Sequence, residues 1–119
     1  MKITESEWSV LEVLWSDDRF ALGEITIALE PVHRWSKNTV HTYLKRMEQK
    51  GFVHIDRSEA KPYSAAVSRE ECAKEEREEL LSKVYRGAAG DLIAAFLKES
   101  SISKKEADKL RKMLDDMEV

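Results

Sequence analysis

Cysteine occurs once, proline twice and glycine four times among 119 residues. A lone Cys72 cannot close an internal disulfide, which suits a reducing cytoplasm. So few Gly and Pro residues argue against long loops, collagen-like repeats and disordered tracts. No run of about 18 apolar residues is present, so no membrane insertion is expected. The opening MKITESEW has no apolar signal region and reads as the approach to a helix. There is no Gly-rich phosphate loop and no nucleophile elbow, so an enzyme is not expected. His33, His41 and His54 stand at spacings that fit no common ligand set, so neither a metal nor another cofactor is expected. What is abundant is charge, 36% of residues, beside 42% hydrophobic residues, as in a soluble helix-rich protein.

The net charge of −3 is unevenly spread. Residues 1–32 carry 2 basic and 7 acidic side chains, and residues 63–119 carry 11 and 13. Residues 33–62 reverse the sign, with 7 basic against 3 acidic. A polyanion responds to this local field and not to the chain total.

Helix signals fall at regular intervals. Thr4 and Glu7 form a capping box, predicting a helix from about residue 5 with Trp8, Leu11, Leu14 and Trp15 on its apolar face. Ser16-Asp17-Asp18 ends it, and Phe20-Ala21 reads as a short extended piece. A second short helix is expected over Gly23–Leu29, with Ile25, Ala28 and Leu29 inward. Ser36 then opens a third helix that Gly51 terminates. Val40, Tyr43, Leu44 and Met47 make its inner face. Asn38, Thr42, Lys45 and Gln49 line the opposite side, flanked by His41, Thr39 and Arg46.

Beyond Gly51 the periodicity changes. FVHIDRSEAKPYSAAV places β-branched and aromatic residues on both sides of a Ser58–Lys61 turn and predicts a two-stranded hairpin. The fold expected is mainly α: a winged helix-turn-helix of three helices plus a two-stranded wing over residues 1–67. A helical region follows over 68–119. Ser68 and Glu71 cap a long charged helix running to about Tyr85, which Gly87 and Gly90 interrupt. Leu92, Ile93, Phe96 and Leu97 mark a short apolar helix. Ser103 and Glu106 cap a last helix bearing Ala107, Leu110, Met113, Leu114 and Met117. These three helices have too few apolar residues to bury a core alone. Leu80, Leu81, Val84, Leu92, Ile93, Phe96, Leu110, Met113, Leu114 and Met117 are therefore expected to meet a second copy of the chain. Trp8, Trp15 and Trp35 read as core or core-edge residues, and Cys72 as a partly buried helical thiol.

The outer row of the third helix has the chemistry of a major-groove reader. Asn can pair with adenine through two hydrogen bonds, and a Thr methyl can touch a thymine methyl. Lys37, Asn38, Thr39, His41 and Thr42 occupy the first turns, where bases are reached. Lys45 and Arg46 lie further along, better placed for phosphates. Arg57 and Lys61 flank the hairpin turn, where a wing meets the neighbouring backbone. A reading of another class is a winged-helix adaptor that binds protein through its acidic first residues and charged long helix, without DNA.

Nearly the whole chain resembles the penicillinase repressors, which include the methicillin-resistance and copper-operon repressors. ITESEWSVLEVLW is similar to their opening helix. WSKNTVHTYLKRMEQKGFV resembles their recognition helix, with Thr39-Val40, Thr42, Leu44, Arg46-Met47 and Lys50-Gly51 at matching places, and AKPYSAAVSREE their second wing strand and its exit. The resemblance implies a cytoplasmic homodimer that represses promoters from a two-fold-symmetric double-stranded DNA operator, through an N-terminal winged helix and a C-terminal dimerisation domain. It puts Asn38, Thr39, His41 and Thr42 toward bases and Arg46 near the backbone. His41 stands where a longer basic residue often occurs. Copper control is not expected, because the chain ends LDDMEV without a Cys-rich motif. In the β-lactam-responsive members a membrane sensor-protease cuts an Asn-Phe bond; the corresponding pair here is Ala95-Phe96, which keeps the Phe and not the Asn.

Overall fold

A computed structural model of the chain describes residues 2–117. Short-range capping sets the frame. The Thr4 hydroxyl accepts from the Glu7 amide at 3.2 Å, and the Thr4 amide donates to the Glu7 carboxylate at 3.0 Å, opening α1 (Glu5–Leu14). Helix α2 (Leu22–Leu29) follows, its Ala21 amide donating to Glu24 at 2.8 Å. Helix α3 (Lys37–Gln49) begins where Ser36 accepts from the Thr39 amide at 3.2 Å. It stops at Gly51, whose φ of 84° is left-handed and lets the Phe52 amide turn back to the Met47 carbonyl.

Strands β1 (Val53–Ile55) and β2 (Tyr63–Ala65) pair antiparallel, with His54 opposite Ser64. Phe20 adds a one-residue third rung, exchanging backbone hydrogen bonds with Tyr63 at 2.8 and 3.0 Å. The arrangement is a winged helix-turn-helix followed by three helices: α4 (Arg69–Tyr85), α5 (Ala89–Glu99) and α6 (Lys104–Asp116). The chain separates into two units, one ending at Glu75 and one starting at Glu76, so the division falls within α4.

The first unit has a closed core. Val10, Leu11 and Leu14 from α1 meet Ile25 and Leu29 from α2, Val40, Leu44 and Met47 from α3, and Phe52, Val53 and Tyr63 from the wing. Cys72, near the start of α4, is buried with them. Two local readings of the sequence are corrected. Ala28 is exposed and not inward, because the apolar stripe of α2 runs through Ile25 and Leu29 and turns Ile27 and Ala28 to solvent. Gly90 does not interrupt a helix, since it lies within α5; the break between α4 and α5 is made by Arg86 and Gly87, both at positive φ. No helix among the described residues is long and apolar enough to cross a membrane.

Candidate nucleic-acid interface

The inner face of α3 is fixed by Val40, Leu44 and Met47, all fully buried. Helical periodicity therefore sends the residues between them outward. Lys37, Asn38, His41, Thr42, Lys45 and Arg46 are all exposed, while Thr39 is half-buried. The Thr39 hydroxyl sits 3.1 Å from that of Ser36, so it belongs partly to the cap. The Thr42 hydroxyl donates to the Asn38 carbonyl at 2.9 Å, which leaves its oxygen lone pairs as acceptors. Lys37, Lys45 and Arg46 make no ion pair among the described residues.

Two long-range contacts hold α3 in position. Trp35 is sandwiched between His33 at 4.1 Å and Tyr43 at 4.4 Å, with the rings within 10° of parallel. His33 also lies 3.2 Å from the Ser9 hydroxyl, so the loop before α3 is tied both to α3 and to α1. At the far end of α3, Lys50 donates to Glu7 at 2.7 Å. Glu7 is only 3% exposed. Burial pushes its carboxyl up, but hydrogen bonds from Lys50 and Thr4, with the Lys50 charge, outweigh that and hold it below its ordinary range. A matching brace holds the start of α4. Arg69 grips Glu12 with both guanidinium nitrogens and stands 4.8 Å over the Trp15 ring, while the Trp15 indole donates to the Val67 carbonyl at 2.9 Å.

The wing differs from α3. Arg57 and Lys61 are exposed, as the sequence suggests, yet both are engaged. Arg57 donates to Glu48 at 3.2 and 3.3 Å, and Lys61 to Glu24 at 3.1 Å. The Arg57 hydrogen bond holds the Glu48 carboxyl below its ordinary range; for Glu24 the Ala21 amide does so first and Lys61 second. Arg19 adds a brace, donating to the Lys61 carbonyl at 2.9 Å and lying 3.8 Å from Asp56. Sequence reasoning missed Arg19, Glu24 and Glu48. Only Glu24 carried a local signal, its place as third residue of α2.

In the second unit, the residues expected to meet a partner copy are largely open. Leu80, Val84, Ile93, Phe96, Leu110, Met113, Leu114 and Met117 are exposed, and Leu81 and Leu92 are half-buried. Ala95 is half-buried beside the exposed Phe96, both inside α5. Among the described residues no group of His, Cys, Asp and Glu is arranged to hold a metal ion.

Known proteins resemble this chain in sequence along nearly its whole length. A methicillin resistance regulatory protein, MecI, of Mammaliicoccus sciuri is 26% identical over 117 residues, covering 96% of this chain and 94% of its own. A penicillinase repressor of Staphylococcus aureus is 25% identical over 118 residues, covering 98% and 94%. Among solved structures, a MarR/EmrR family transcriptional regulator of Acinetobacter sp. ADP1 superposes with a TM-score of 0.46 at 23% identity, over 97% of this chain and 78% of that one. The family model described as penicillinase repressor matches residues 3–116. That match spans the winged helix and all three helices after it, and the chain belongs to the penicillinase repressor family, a family of transcription regulators and not of enzymes.

Proposed function

We propose that the chain is a sequence-specific DNA-binding repressor that acts in the cytoplasm as a homodimer on a two-fold-symmetric operator. The observation that carries this reading is the outer row of α3. Six polar or cationic residues between Lys37 and Arg46 are open to solvent, and its three cations have no carboxylate paired to them among the described residues. Lys37, Asn38, His41 and Thr42, with Thr39 at the cap, face bases. Lys45 and Arg46 meet phosphates, and Arg57 and Lys61 meet the backbone beside the groove. The names of the relatives, a methicillin resistance regulator and a penicillinase repressor, favour the same reading.

The second copy covers the apolar faces of the second unit. None of the described residues beyond Glu75 is buried, although α5 and α6 each carry an apolar stripe, and such stripes are stable in water when paired. Dimerisation then sets two α3 helices about one turn of DNA apart, ~34–36 Å. Residues 1–67 serve as the DNA-binding domain and 68–119 as the dimerisation domain. Release by a membrane sensor-protease at Ala95-Phe96 fits the exposure of Phe96, but α5 has to unwind before a protease can hold that bond in an extended form.

Gel shifts with random genomic fragments at two salt concentrations test the proposal. A DNA-binding dimer retains fragments at low salt and releases them as salt rises. Arg46→Ala weakens all sequences alike and flattens the salt dependence by about 0.9 units, whereas Thr42→Ala relaxes base preference at a cost of about 1–3 kcal/mol. A chain that retains nothing at low salt is the protein-binding adaptor instead.

A further inference from the structure

We infer that Glu24 and Glu48 are built-in rivals of the DNA backbone: they hold the wing cations Lys61 and Arg57 neutralised, so that a phosphate can take either cation only by displacing a carboxylate. The inference rests on the DNA-binding reading above and adds to it a control on affinity.

The geometry distinguishes two sets of cations in the winged helix. Lys37, Lys45 and Arg46 on α3 make no ion pair among the described residues. The three cations around the wing each have a carboxylate: Arg57 has Glu48, Lys61 has Glu24 and Arg19 has Asp56. Arg57 engages Glu48 through both terminal nitrogens, at 3.2 and 3.3 Å, the fork geometry that a guanidinium also offers to a phosphate. The Arg57 proton is held more firmly and the Glu48 proton less firmly than usual, each because of the other. Glu24 does two jobs, accepting from the Ala21 amide at 2.8 Å through one oxygen and from Lys61 at 3.1 Å through the other.

Neither carboxylate comes from the wing itself. Glu48 belongs to α3 and Glu24 to α2, so the wing cations are clamped to the helices that carry the reader. The local excess of positive charge counted over residues 33–62, which already subtracts Glu48, still overstates the free charge, because Lys61 and Lys50 are compensated by Glu24 and Glu7 from outside that stretch. A wing of free cations adds affinity to every duplex, matched or not, through counterion release. Compensated cations add little until something displaces their partners. The base-facing contacts of Asn38, Thr39, His41 and Thr42, which depend on sequence, then carry a larger share of the binding, and discrimination against the bulk of DNA improves.

The test measures affinity for a genomic fragment retained by the wild type and for a random duplex, at about 50 and about 200 mM salt. Glu48→Gln and Glu24→Gln keep the shape and one acceptor oxygen while turning the other into an N–H donor, and thermal unfolding followed by Trp fluorescence checks that each variant folds. Each variant is expected to bind both duplexes more tightly and to gain up to about 0.9 in salt slope, so its advantage shrinks about threefold to fourfold between the two salts. The random duplex gains at least as much as the selected fragment. Arg57→Ala is expected to erase the gain of Glu48→Gln and to cost more in that background than in the wild type. A gain that survives Arg57→Ala comes from general repulsion and overturns the inference, as does a folded Glu48→Gln protein with unchanged affinity and slope. A wild type that retains no DNA overturns the DNA-binding reading and the inference with it.

Discussion

The two units of the chain solve the same problem differently. The first buries twelve hydrophobic residues of its own, from four helices and a wing. Of the twelve exposed large hydrophobic residues among those described, the second carries ten, and it buries none of its described residues. Helix formation is similar in both: Ser36 and Ser103 each accept from the amide three residues on, at 3.2 and 3.1 Å. Secondary structure is thus secured locally in each unit, while burial is completed within the chain only in the first. Fully burying a large apolar side chain is worth about 1.5–3 kcal/mol, so the second unit has its main source of stability still to find, and the partner copy proposed above would supply it.

Five substitutions probe this contrast. Phe52→Ala, at a side chain 1% exposed, removes a keystone of the first unit and is expected to cost about 3–5 kcal/mol in denaturant unfolding. Leu114→Ala, at a residue 61% exposed, leaves that transition within about 0.5 kcal/mol, yet shifts the monomer–dimer balance measured by sedimentation. If Leu114→Ala also destabilises the first unit by several kcal/mol, the two units are not independent.

Glu7→Gln removes the charge that Lys50 neutralises and is expected to cost about 1–3 kcal/mol at neutral pH. Because the folded-state carboxyl lies below its ordinary value of 4.5, its contribution is complete above that value. It is lost as pH falls through the depressed folded value. Stability curves of wild type and Glu7→Gln should therefore converge below about pH 4.5. Parallel curves across that range would assign Glu7 a purely steric role. The smallest effects belong to the two caps. Ser36→Ala should lower first-unit stability by about 1 kcal/mol, whereas Ser103→Ala should reduce helical circular dichroism with no comparable shift of the first-unit transition.

The first unit was largely readable from the sequence because its instructions are local. Thr4 with Glu7, Ser36 with Thr39, and Gly51 are decided by neighbours within three or four residues, and they fix the beginnings of α1 and α3 and the end of α3. The outward face of α3 follows from the burial of Val40, Leu44 and Met47, which the apolar spacing already marked. Contacts between distant parts of the chain left no such trace. Glu7 and Lys50 are 43 residues apart, and Glu12 and Arg69 are 57 apart. The pairing of Arg57 with Glu48 was equally hidden, since a carboxylate on a helix does not announce which cation will fold back to it. Ala28 was misread because an eight-residue helix offers too few turns to separate neighbouring stripes. Gly90 was misread because a glycine is a break only where the backbone needs a positive φ, and that need falls at Arg86 and Gly87.

The ring stack of His33, Trp35 and Tyr43, with the edge-on pair of Trp8 and Trp15 at 5.6 Å, has a practical consequence. Every indole in the protein lies at or before residue 35, so emission excited selectively from indole follows the winged helix and is blind to events beyond Glu75. An indole introduced into α6 would give the silent half its own signal, and the order in which the two halves melt could then be read from one cuvette.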